Sequence, residues 1–411
     1  MATGATSSPS GAQDGELVAS AGHGRGREQS ARGWANWVVA FASLLLTLFL
    51  LEVGLRLFSP FSASWSRPDE VVGWSYIPNA FYRFVAPEGC PGWTSAGRIN
   101  SHGLRDHDYA YAKTGRSFRV LALGDSYTEG FQHPLEFIWP KLLERRLNDR
   151  KDGVRYEVIN TARSGMGTAH EFLYYRAEGY RYTPNLVVLL VSGNDIEDNS
   201  QSLSPSAAYG PHFSLAGEEL VLDDSFKLGL TYRLHAVLTP FKQRSQLLSS
   251  ILRRYRSAQQ ARIGPGDTAA RPPAATRDVA RGGAATSPPA PPSPQLAAAT
   301  AVTGRILREL NHTVRAHGSR LVVFNGGRES WDRNQPNGLL AAIAASDDIP
   351  YQDLTARMER HEQSTGELLV GCRQNGGTGH WSRAGHATAA ALIYDFLESH
   401  DLLPSEGTGA T

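Results

Sequence analysis

The sequence predicts an α/β protein: a three-layer α/β/α arrangement around a central parallel sheet, preceded by one transmembrane helix. Two observations carry this. Short, almost continuously apolar runs alternate with amphipathic stretches of helical period, which implies parallel strands joined by crossover helices that cover both faces of the sheet. Near the N-terminus lies an uncharged apolar run from Trp37 to Leu51, continuing to Phe58. At ~1.5 Å per residue, 37–58 gives roughly 33 Å of helix, which matches a hydrocarbon core of about 30 Å.

The elements follow in chain order. Residues 1–33 are Gly, Ser, Ala and charge with almost no large apolar side chains. Such a composition cannot offset the entropy of folding, and the stretch reads as a disordered tail. In the apolar helix at 37–58, Glu52 and Arg56 stand four apart and can pair on one face. Arg25, Arg27 and Arg32 precede the span and fewer cations follow it, which by the positive-inside rule leaves the N-terminus cytoplasmic and exports the rest. A cleaved secretory signal is the alternative, disfavoured by its long N-terminal region. A juxtamembrane segment, 59–114, leads into the α/β domain, 115–404.

Within that domain Phe118–Leu123 reads as a strand buried on both faces. Pro140–Leu147 is an amphipathic helix, Tyr156–Ile159 a strand, Glu171–Tyr180 a helix, and Leu186–Val191 the clearest buried strand. Residues 264–294 hold eight Pro, eight Ala and four Gly, and read as a disordered insertion. Beyond it Val302, Ile306, Leu310 and Val314 mark a helix ending at Gly318. Leu321–Phe324 is a further strand, Leu339–Ala345 a helix and Ala387–Leu397 a closing helix.

Composition excludes several classes. Lys+Arg 41 against Asp+Glu 40 leaves a net charge of +1, so no global field holds a polyanion, and no nucleic acid is expected as a partner. Two cysteines, Cys90 and Cys372, rule out a disulfide-dense scaffold and a four-thiolate zinc site. An exported domain permits a bridge between them; two free thiols are the equal alternative. No metal-ligand spacing and no phosphate loop occur, so neither metal nor other cofactor is expected.

In parallel sheets reactive groups gather at the carboxyl ends of strands. Gly124-Asp125-Ser126-Tyr127-Thr128-Glu129-Gly130 directly follows the first buried strand, placing the Ser126 hydroxyl at its tip. A serine needs a base to act as a nucleophile, and an N-cap role for Ser126 is the plain alternative. Asn160-Thr161-Ala162-Arg163-Ser164-Gly165-Met166-Gly167-Thr168 follows the second strand, and Ser192-Gly193-Asn194-Asp195 the third. The N-H groups of Ser126 and Gly165 with the Asn194 amide would give three donors around one developing oxyanion. Gly379-His380-Trp381-Ser382 precedes the closing helix. Asp125 and Asp195 flank site residues, where turn hydrogen bonding is the favoured role. His386 is a rival base whose place inside the closing helix argues for a structural role. Arg253-Arg254-Tyr255-Arg256 reads as a solvated helix end, with contact to an anionic surface polymer as the alternative.

This pattern resembles the SGNH hydrolases, the GDSL esterase/lipase superfamily, from about Val72 to Leu397, with a flavodoxin-like fold. Its four markers match Ser126, Gly165, Asn194 and His380 in chain order, and family spacing prefers Gly165 to Gly167. The Asn100-Ser101-His102-Gly103-Leu104-Arg105-Asp106 stretch and the Glu52/Arg56 span resemble bacterial membrane-anchored members. The resemblance implies a serine hydrolase of carboxylic or carbohydrate O-acyl esters, with an acyl ester substrate, a cell-surface glycan as possible partner, and the membrane reached through 37–58. An O-acyltransferase acting on a surface polysaccharide and a non-catalytic glycan-binding or assembly protein are the rival readings. The family's usual aspartate, two or three residues before the histidine, is missing here, where Gly377 and Thr378 stand. A backbone carbonyl, the Thr378 hydroxyl, or Asp347, Asp353 or Glu367 from afar would have to orient His380.

Overall fold

The computed structural model describes residues 22–58, 61–86, 89–192, 195–201, 203, 210–262, 293–326, 339–375 and 379–404. Helix α1, Gly22–Phe58, is a unit by itself. Its stretch Trp34–Phe58 has a mean hydropathy of 2.4 and is long and apolar enough to cross a membrane. Arg56 Nε donates to Glu52 Oε1 at 2.7 Å, as the four-residue spacing predicts. The helix starts at Gly22, so its first turns include part of the stretch read as a tail.

Residues 60–411 form the second unit, and 61–114 belong to it. Two antiparallel hairpins open it: β1 (Ser66–Asp69) with β2 (Gly73–Tyr76), and β3 (Phe81–Val85) with β4 (Thr94–Arg98). The α/β body then runs β5 (Ser117–Gly124), α2 (Ser126–Glu129), α3 (Trp139–Asn148), β6 (Arg155–Asn160), α4 (Thr168–Ala177), β7 (Leu186–Val191) and α5 (Asp195–Asp198). A hairpin of β8 (His212–Ala216) and β9 (Glu219–Asp223) leads to α6 (Leu230–Arg244) and α7 (Gln246–Arg262). The chain closes with α8 (Pro294–Ala316), β10 (Arg320–Asn325), α9 (Leu339–Ser346), β11 (Tyr351–Asp353), α10 (Thr355–Thr365) and α11 (Arg383–Ser399). The Pro/Ala-rich insertion lies, apart from its last two residues, outside the described residues.

Five strands form one parallel sheet in the order β11-β10-β7-β5-β6. Alternate residues of each strand enter opposite cores, which is why the strands read as continuous apolar runs rather than alternating ones. Leu121, Leu123, Val187, Leu189 and Val191 face α4, α8 and α9. Val120, Ala122, Val188 and Leu190 face Trp139, Leu143 and Leu147 of α3 and Ala389, Ile393 and Leu397 of α11. The three-layer expectation is therefore what the chain builds. The chain enters the sheet at β5, turns to β6 on one side and returns to β7 on the other. This order makes the carboxyl ends of β6, β5 and β7 a topological switch point, where such sheets place their sites.

Candidate active site

Ser126 stands at that switch point. Gly124 ends β5 with φ +151°, and a Cβ there would lie 2.3 Å from Thr128 Oγ1, so only glycine lets the chain turn this tightly. Asp125, not Ser126, is the N-cap of α2: its Oδ1 accepts the Tyr127 N-H at 2.9 Å. Ser126 is thereby released from the capping role and sits half-buried in the first helical position. Asp125 Oδ2 accepts the Ser192 hydroxyl at 2.7 Å and faces Ser126 Oγ at 3.4 Å, tying the tips of β5 and β7 together. Burial raises the Asp125 pKa, while these bonds and the neighbouring His380 oppose that rise.

The loop after β6 is fixed to the same turn. Arg163 N donates to Gly124 O at 3.3 Å. The buried Glu129 carboxylate accepts the N-H of Ser164 at 2.8 Å, and also the hydroxyls of Ser164 and Tyr76. These bonds oppose the desolvation that pushes the Glu129 pKa up. Gly165 has φ +75°, is exposed, and would meet nothing within 4 Å if it carried a Cβ. Gly167 is buried, and a Cβ there would lie 2.9 Å from Asn199 Oδ1 and Asp195 O. Of the two glycines, only Gly165 presents an open face at the site. Asn194 lies outside the described residues, between Ser192 and Asp195. Ser192 N donates to Asp195 Oδ2 at 2.6 Å, so Asp195 is held by turn hydrogen bonding.

His380 comes to this rim from the other end of the chain. Its ring centroid is 5.2 Å from that of Tyr127, the residue after Ser126, and Tyr127 Oη donates to Gly379 O at 3.2 Å. The Gly371 N-H on His380 O at 2.8 Å and the pairing of Val370 with Trp381 hold the loop. Cys90 and Cys372 form a disulfide, which settles the open question of the two thiols and ties the histidine loop to the β3–β4 hairpin. His386 is a different kind of group. Buried in α11 between Trp381 and His133, its Nδ1 faces the Trp139 N-H at 3.3 Å, and burial holds its pKa well below the usual value. It is a structural histidine.

Of the remote acids, Asp347 pairs with Arg308 at 2.9 Å and Glu367 with His361 at 3.5 Å. Asp353, at the tip of β11, accepts the Thr355 N-H at 2.8 Å. Thr378 lies outside the described residues.

Sequence reasoning missed the brace behind the serine turn. Arg105 is fully buried and donates to Glu129 O at 2.6 Å, Tyr82 Oη at 3.0 Å and His133 O. Asp106 pairs with Lys141 at 2.8 Å and accepts the Asn160 N-H at 2.6 Å. The Asn100–Asp106 stretch thus supports the tips of β5 and β6 from below. The sequence marks this stretch only through its family resemblance; these partners of Arg105 and Asp106 lie 23–54 residues away and only the fold brings them together.

A model of the GDSL-like Lipase/Acylhydrolase family matches residues 122–388, from the last turn of β5 into α11. The chain belongs to this family. The SGNH markers sit inside the matched range. An arylesterase of Vibrio mimicus is 34% identical over 84 residues, which are 20% of this chain and 41% of that protein. The match thus spans less than half of the arylesterase. Among solved structures, a lipase/acylhydrolase from Enterococcus faecalis is similar over 69% of this chain and 96% of its own, at 12% identity and TM-score 0.36. An acetyl xylan esterase, AlAXEase, is similar over 68% and 98%, also at 12% identity and TM-score 0.36.

Proposed function

We propose that this acylhydrolase-family protein is a membrane-anchored, extracytoplasmic serine hydrolase that cleaves carboxylic or carbohydrate O-acyl esters. The observation that carries the proposal is the meeting of Tyr127 with His380 and Gly379, which brings the histidine loop to the nucleophile turn across 252 residues of sequence. In this reading Ser126 Oγ attacks the ester carbonyl carbon while His380 takes its proton. The N-H groups of Ser126 and Gly165 and the Asn194 amide hold the oxyanion. Collapse of the tetrahedral intermediate breaks the bond to the alkoxy oxygen, which leaves with the proton from His380. Water, deprotonated by the same imidazole, then frees the acid and regenerates Ser126. No cofactor enters the cycle.

Anchoring is supported by the length and apolarity of α1, and an oxidising location by the Cys90–Cys372 bridge, since disulfides persist mainly outside the cytosol. Hydrolysis of 4-nitrophenyl acetate by the detergent-solubilised full chain tests the chemistry. Turnover above background that disappears in Ser126→Ala is the expected result; equal rates for the two proteins would refute it.

A further inference from the structure

Helix α6 is built inside out. Leu230, Leu234, Val237, Leu238 and Phe241 fall at i, i+4, i+7, i+8 and i+11, one stripe of a 3.6-residue helix. That stripe faces away from the protein: Leu230 is 72% exposed, Val237 64% and Phe241 61%. The side turned inward is polar, with His235, Thr239 and Lys242 lining a cleft shared with Ser66 and Arg67 of β1. Leu228 before the helix and Ile251 of α7 are exposed as well. A contiguous apolar stripe of this size on a soluble surface marks an interaction site.

Charge and chain connectivity select the occupant. Between Ser225 and Arg262 there is no Asp or Glu, against eight Lys and Arg. An apolar stripe flanked by cations on an amphipathic helix is the chemistry of an anionic lipid interface. Gln246, at the start of α7, donates its Nε2 to the Phe61 carbonyl at 2.6 Å. Phe61 is three residues beyond Phe58, the end of α1, and three residues reach at most about 11 Å. Chain connectivity therefore keeps Phe61 within that distance of the end of α1, and the start of α7 is tied to Phe61 by the Gln246 side chain.

We propose that the α6–α7 pair lies on the bilayer that α1 crosses, with the Leu230–Phe241 stripe in the boundary between headgroups and acyl chains and the flanking cations on anionic headgroups. The inference rests on reading α1 as a membrane span. It gives the hydrolase domain a second contact with lipid and makes the anchor more than a leash.

Both native cysteines are in the disulfide, so a single introduced cysteine can be labelled alone. The full chain carrying a nitroxide at Leu45→Cys, Val237→Cys or Arg360→Cys is reconstituted in phosphatidylcholine vesicles containing phosphatidylglycerol. Collisional accessibility to oxygen is then compared with that to a water-soluble nickel complex. A deep Leu45 label, an aqueous Arg360 label and a Val237 label with a several-fold higher oxygen-to-nickel ratio than Arg360 support the proposal. A Val237 label as aqueous as Arg360, with Leu45 deep, overturns the hairpin contact and leaves the anchor standing. An aqueous Leu45 label overturns the anchor and the proposal with it. Spin-spin broadening between Val237 labels of two molecules, without lipid exposure, would assign the face to a second copy and also overturn it.

Discussion

Helices α3 and α6 carry the same kind of apolar stripe and turn it in opposite directions. In α3, Trp139, Leu143 and Leu147 are buried against β5, β6 and β7. In α6 the equivalent stripe faces outward and the polar side packs on β1. The difference follows from what each covers: α3 closes an apolar face of the parallel sheet, whereas α6 meets a short hairpin that presents Ser66 and Arg67 to it and does not cover the parallel sheet. Amphipathic period alone gives a helix and its stripe; the partner surface decides which way the stripe points. The rim around Ser126 shows the same rule reversed, since there the buried groups are Asp125, Glu129 and Arg105, held by hydrogen bonds instead of dispersion.

The strongest test of this contrast is kinetic and confined to the rim. His380→Ala should lower kcat on a chromogenic acetyl ester by about 10⁴, or about 5 kcal/mol, with an unchanged thermal midpoint, because His380 lies in a half-exposed loop. A parallel loss of melting temperature would move His380 into the structural class of His386. Next comes the inward stripe. Leu143→Ala in α3 should cost about 2–5 kcal/mol in chemical denaturation, as buried Leu truncations do. A cost under about 1 kcal/mol would mean that α3 is not the tight cover the packing implies.

A smaller effect comes from the acids beneath the rim. Glu171 and Asp195 are fully buried, neither Glu171 oxygen has a hydrogen-bond partner among the described residues, and both pKa values stand well above normal, through desolvation first and then the Asp125 charge for Glu171 and the Glu171 and Asp125 charges for Asp195. The native state thus holds protons that the unfolded chain releases near pH ~4. Stability is full below that pH and is lost as pH rises through the raised native values. Glu171→Gln should flatten this alkaline decline in thermal melts across pH; an unchanged slope would show that Glu171 is not the proton holder. The smallest effect belongs to the outward stripe. Leu234→Ala should change stability in detergent by no more than about 0.5 kcal/mol, since the side chain is already exposed. A loss approaching that of Leu143→Ala would place Leu234 in a core and break the contrast.

Much of the sheet was legible because strands buried on both faces leave continuous apolar runs, as in Leu186–Val191. The three-residue β11 and the hairpins β1–β4 and β8–β9 were not, because strands of three to five residues with mixed exposure leave too little period to read. Helix α6 is legible in the spacing of its apolar residues, whereas its outward orientation exists only in the fold. Around the candidate site, Ser126 and Gly165 stand out in motifs that follow strand tips, and His380 in the motif before the closing helix. The Glu129 bonds to Ser164 and the Cys90–Cys372 bridge were not, since they join residues 35 and 282 apart that only the tertiary structure brings together.

Covalent labelling reads the activated hydroxyl most directly. The full chain is treated with a fluorophosphonate, digested, and the adduct located by mass spectrometry. The account predicts one stoichiometric adduct on Ser126 that is lost or strongly slowed in folded His380→Ala. An adduct on another residue, or undiminished labelling of Ser126 without His380, would contradict it.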